Sequence, residues 1–326
     1  MEKNNITEKT KEQKTNSKKS FSQVIINNAA LSALVVLVIL FTIINKRFFT
    51  INNIINIFTQ VSITAIIAFG MTFVITAAQI DLSVGSVLAL SGMIFMALSV
   101  EGVPVFFAII ITLAIGGFIG LFSGYLVAYF KLPSFIATLA MMSVARGIAL
   151  LMRGGTTICQ GIQTSFLWLG QSKVGAIPTP IIILIIIFVV MDFVMTRTIF
   201  GTYNRAIGSN PEASRLAGIS VNSMLLKIMA ISGLCAAVAG IITASRLGVG
   251  SPITGYMKEL DAITAVILGG TAMTGGVGTI KGTFIGALVV TILTNGLTIM
   301  GVSSYWQQIL LGFVLIGALA LKKFQK

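Results

Sequence analysis

The chain has 326 residues, 56% of them hydrophobic and only 10% charged, with a mean hydropathy of +1.00. A soluble domain keeps about a quarter of its residues charged to wet its surface, so a water-facing globule is excluded. The net charge of +13 is no nucleic-acid footprint: six lysines crowd into the first 19 residues and most other basic residues flank apolar runs, which is a topology pattern.

In chain order, residues 1–20 are polar, lysine-rich and free of aromatics, which predicts a disordered cytoplasmic tail over 1–24. The apolar run that follows ends without a small-x-small cleavage site and is expected to stay as a first span. Apolar runs are predicted to cross the membrane near 25–45, 55–78, 84–100, 104–130, 133–152, 179–196, 225–245, 261–279, 282–300 and 304–321. Their apolar residues are continuous rather than alternating, and backbone in hydrocarbon must bond to itself, so the runs are helices and not barrel strands. The expected fold is therefore an all-α integral membrane protein of about ten transmembrane helices, with residues 25–326 forming one polytopic domain. With both termini in the cytoplasm, fifteen basic residues lie inside and six outside, while Arg146 falls within a span. An eight-span version, with re-entrant breaks at 79–83 and 270–278, stays open.

Small residues four apart, Gly116-Gly120-Gly124 and Gly278-Gly282-Gly286, let helix backbones touch where burial itself gives no gain. Cys159 and Cys235 make no disulfide framework, and the absence of histidine removes the commonest general base and metal ligand. No metal site is expected, and a membrane enzyme is a poor reading.

The break Gln79-Ile80-Asp81-Leu82-Ser83-Val84-Gly85-Ser86 interrupts two spans of near-minimal length. A carboxylate at membrane depth is costly and usually functional, and a broken helix exposes N–H groups to a polar ligand. Gln79, Asp81, Ser83 and Ser86 are thus candidates to line a transport path. Alternatively, Asp81 or Ser83 simply caps the next helix. Asn295 can line the same path or bond a neighbouring helix. Glu259 and Asp261 are placed at the outer mouth, and they also suit a helix start, where acids meet the positive end of the dipole.

Two loops are long, 153–178 outside and 197–224 inside. Within the second, Asn210 can cap a short helix, Pro211 suits its first position and Gly218 ends it. The segment from Arg205 to Lys227, RAIGSNPEASRLAGISVNSMLLK, resembles the coupling loop of sugar permeases in bacterial ABC importers, and of the ribose type in particular. LPSFIATLAMMSVARG (132–147), ELDAITAVILGGTAMTGGVGTIKGTFIGALV (259–289) and TNGLTIMGVSSYWQQIL (294–310) share the likeness, which runs from about residue 30 to the end. The resemblance implies a permease subunit at the cell membrane that translocates a small sugar, most readily ribose. It implies ATPase coupling through Arg205, Asn210, Glu212, Ala213, Arg215 and Gly218. It also implies three partners: a sugar-type ATPase that binds ATP and Mg, an extracellular sugar-binding protein, and a second permease copy. The chain itself would hold no cofactor. In agreement, the one P-loop-like stretch, Gly275 to Gly282, has Ile280 and Gly282 where a Walker A motif needs glycine and Ser or Thr around the lysine. The alternatives are a permease for another monosaccharide or autoinducer-2, and an ion-coupled secondary carrier.

Overall fold

The computed structural model describes residues 29–324. The tail expected over 1–24 lies outside them. Thirteen helices follow in order: α1 (Ala29–Ile44), α2 (Ile51–Thr76), α3 (Val84–Val100), α4 (Val105–Ala128), α5 (Ser134–Leu151), α6 (Thr164–Gln171), α7 (Thr179–Arg197), α8 (Ile199–Ser209), α9 (Pro211–Leu216), α10 (Val221–Leu247), α11 (Lys258–Leu268), α12 (Ile280–Ile299) and α13 (Ser304–Phe324). A two-stranded ribbon, β1 (Lys173–Val174) and β2 (Ile177–Pro178), sits between α6 and α7.

Six helices (α2, α4, α5, α7, α10 and α12) are long and apolar enough to cross a membrane, and α1, α3 and α13 carry shorter apolar stretches. The chain is thus an all-α membrane protein. One expected span is corrected: 261–279 is helical only to Leu268, and residues 269–279 form a glycine-rich turn. The sequence there explains this, since Gly269, Gly270, Gly275, Gly276 and Gly278 supply little helix propensity and three of them adopt positive φ.

The core is built around α2, whose membrane-length window is 89% buried. Helix α10 packs on α2, α3 and α4. The Gly116-Gly120-Gly124 ladder of α4 lies directly on the α10 backbone at Gly233, Met229 and Leu226, so α4 and α10 run antiparallel in close contact. Gly282 and Gly286 of α12 meet Gly269 and Ala265 in the same manner. By contrast, α4, α5 and α7 bury only 33%, 28% and 22% of their apolar windows. Their outward rows of Phe, Ile, Leu and Val stand exposed among the described residues and suit hydrocarbon.

The two longest helices share one plan. Each ends in a non-helical segment that turns back along the bundle and then starts a shorter helix: 77–83 joins α2 to α3, and 248–257 joins α10 to α11. Helix α3 runs parallel to α10, with Leu88 beside Gly240 and Met96 beside Gly250, and the 248–257 strap comes back down α3 until Gly255 touches Gly85.

A groove beside the strap and a two-helix knuckle

The first break is held by hydroxyls. The Ile80 and Leu82 N–H groups donate to Ser134 Oγ and Thr138 Oγ1 of α5, each at 3.1 Å. Asp81, 1% exposed, accepts at Oδ1 from the Ser83 N–H (2.9 Å) and the Ser83 hydroxyl (2.6 Å), and at Oδ2 from the Ser232 hydroxyl of α10 (2.7 Å). Unpaired backbone inside a bundle is costly, and these side chains take the place of water. Ser83 is the residue before α3 and makes no side-chain cap. Gln79 stays at the end of α2, its backbone N–H donating to Val74 O. Asn295 exchanges amide hydrogen bonds of 3.0 and 3.2 Å with Asn53, tying α12 to α2.

Ser86 is placed differently. It lines a groove of about 580 Å³ together with Met142, Ser143, Arg146 and Leu150 of α5 and Ile253, Tyr256, Met257 and Glu259 of the strap and α11. The structure therefore brings Ser86 and Glu259 together from segments far apart in the chain. It adds Arg146, whose guanidinium donates to the carbonyls of Pro252 and of Thr254, the latter at 3.0 Å. Arg146 clamps the strap to α5 while its charge faces Glu259. Only glycine fits at 85 and 255, because a Cβ on either would strike the other's carbonyl. Asp261 points away from this groove and pairs with Lys258 at 2.6 Å.

Chemically, the groove offers two hydroxyls, a phenol, a guanidinium and a carboxylate among apolar walls. That mixture can hydrogen-bond a small polyol and pack its C–H faces. Three sequence signs pointed to it separately: Ser86 as a path candidate, Glu259 as an outer-mouth acid, and Arg146 as a charge within a predicted span. Ser143 and Tyr256 gave none, since serine and tyrosine are ordinary in membrane helices and strap residues.

At the opposite end of the bundle, the long loop folds into α8 and α9 instead of a single short helix. Asn210 accepts from the Ala213 N–H at 2.9 Å and caps α9. Gly218 takes φ +86° just beyond it. Arg205 donates to Met195 O at 2.8 Å, fastening α8 to the end of α7. Glu212 and Arg215 form an exposed pair at 2.7 Å. Leu216 is 75% exposed at the tip. The base of this knuckle is wedged into the bundle: Gly208 rests on Thr76 O, which also accepts the Gly276 N–H at 2.8 Å. Both the α2–α3 break and the turn after α11 thus meet α8 at one carbonyl.

A family model described as the permease component of branched-chain amino acid transport systems matches residues 53–319. The chain is 42% identical to the ribose import permease protein of Haemophilus influenzae, over 90% of this chain and 92% of that protein. It is 41% identical to the ribose import permease protein of Bacillus subtilis, over 89% and 90%. The xylose transport system permease protein of Escherichia coli is 36% identical, over 88% of each chain. No solved structure gives a significant match.

Proposed function

Because the chain belongs to the permease family whose model covers residues 53–319, we propose that it is the membrane-spanning subunit of an ATP-driven importer for a small sugar, ribose first. The substrate reading comes from the relatives, whose names point to pentoses rather than amino acids. In this reading the chain hydrolyses nothing: an ATPase subunit binds ATP and Mg, an extracellular binding protein delivers the sugar, and a second copy completes the path. Membership in a family of import permeases supports the first two partners. Open α5, which carries Arg146 and buries only 28% of its apolar window, supports the third.

The observation that carries the mechanism is the knuckle Ile199–Leu216. It exposes Glu212, Arg215 and Leu216 to a partner, and its base abuts the α2–α3 break and the turn between α11 and α12. A push on α9 therefore reaches the segments that follow α2 and α11. The groove lined by Ser86, Ser143, Arg146, Tyr256 and Glu259 is the proposed path. We assign ten membrane passes, of which α3 and α11 are completed by the non-helical segments before or after them. Both termini then lie with α8 and α9 on the cytoplasmic side, with residues 25–326 as one domain.

The test is uptake of labelled ribose by cells with and without the gene, with xylose and other sugars as competitors. Saturable uptake that needs both this chain and an ATPase confirms the reading. Uptake that persists without any ATPase replaces it with a secondary carrier.

A further inference from the structure

Behind the strap lies a second, partly open cavity, of about 160 Å³, lined by α2, α3, α10, α11 and α12. The wall between cavity and groove is one peptide thick: Ile253, Tyr256 and Glu259 face the groove, while Thr254, Gly255 and Lys258 face the cavity. The Thr243 and Thr294 hydroxyls in its lining bond to carbonyls of their own helices, but two other polar side chains stand free. Gln60 and Thr64, one turn apart on α2, line it with an amide and a hydroxyl that bond to no protein group among the described residues. Thr64 is only 5% exposed.

A polar group without a partner is costly, so two side by side on one cavity wall mark a place where something else bonds to them. The charges nearby do not call for an ionic occupant. Lys258 and Asp261 pair at 2.6 Å, and Arg246 donates to Asn56 at 3.0 Å. What remains is a neutral set of amide and hydroxyl groups facing the apolar side chains of Ile63, Leu88 and Val290. Such a volume holds several waters, which one monosaccharide ring replaces. A site for water alone has no use for apolar walls; a site for a polyol uses them for the C–H faces.

We propose that this cavity is a second polyol-binding site within each protomer, a station one peptide away from the groove. The proposal rests on the sugar-permease reading. It assigns Gln60 and Thr64 as residues that touch the sugar.

The experiment is saturation-transfer NMR of D-ribose and D-xylose on the purified permease–ATPase complex in lipid nanodiscs, alongside its melting temperature. Thr64→Val and Gln60→Met keep side-chain volume and remove no protein–protein hydrogen bond. Each is expected to weaken sugar binding roughly fivefold, the scale of one neutral hydrogen bond, while the empty complex melts at the same or a higher temperature. Binding unchanged in both variants overturns the site and leaves the groove and the permease reading intact. Binding lost together with several degrees of melting temperature in both assigns the residues to packing and also overturns it. No saturable signal from either sugar in the wild type overturns the site. ATP-dependent uptake of no sugar in the companion cell assay overturns the permease reading and the site with it.

Discussion

Both carboxylate oxygens of Asp81 are engaged, by one amide and two hydroxyls, and the residue is sealed from solvent. It therefore acts as a fastening between the break and α10, at a place where the sequence left path and cap equally open. Asp81→Asn keeps one acceptor and turns the other into a donor facing a hydroxyl that already donates. The expected loss is about 1–3 kcal/mol of stability, read as a lowered melting temperature of the purified protein. Glu212 is the opposite case, an exposed acid on a six-residue helix. The hydrogen bond from Arg215, then its charge, holds the carboxyl below the ordinary carboxylate range. A lowered folded-state pKa means the pair's contribution to α9 is complete above the unfolded value and is lost as pH falls through the folded one. Salt and exposure keep that contribution small. An NMR titration of labelled Glu212 is expected to show a midpoint below that of a free glutamate, moving upward in Arg215→Met.

At the scale of elements, α9 was readable because its cap, proline and terminal glycine are local signals within nine residues. Its neighbour α8 was not: its polar and small residues have a loop's composition, and burial of Gly201, Asn204, Ile207 and Gly208 against the bundle makes it a helix. Tertiary packing overrides weak propensity in this way. The joint at Thr76 gives the pair a mechanical role. Gly208→Val places a side chain where Thr76 O and Gly276 sit, and is expected to abolish ATP-coupled uptake. Leu216→Asp disturbs only the exposed tip and is expected to abolish uptake with normal amounts of protein in the membrane. Normal uptake in the Leu216 variant would remove α9 as the docking surface. The span expected at 261–279 failed for a related reason. Hydropathy averages over a window and does not register that glycines at 269, 270, 275, 276 and 278 break the backbone within it.

For the whole molecule, the proposed orientation makes a direct prediction. Cys159 is exposed in the loop after α5, and Cys235 is buried in α10. A maleimide that cannot cross membranes should label intact cells at Cys159, and label Leu216→Cys only after the cells are opened. The reverse pattern would invert the topology. The amino-acid sequence by itself determined the solvent, the helical class and most helix positions. Hydrocarbon admits only self-bonded backbone, and a continuous apolar run of the right length satisfies that locally. It also carried the family, through long ordered motifs. Which polar residues face one another was left to the tertiary structure. Ser86, Arg146 and Glu259 come from three segments, and Gln60 and Thr64 look no different from other polar residues on a membrane helix. They converge because two chain breaks fold back along α3 and α10, and because glycines at 85 and 255 let those backbones touch, a contact between residues 170 positions apart that no local pattern encodes.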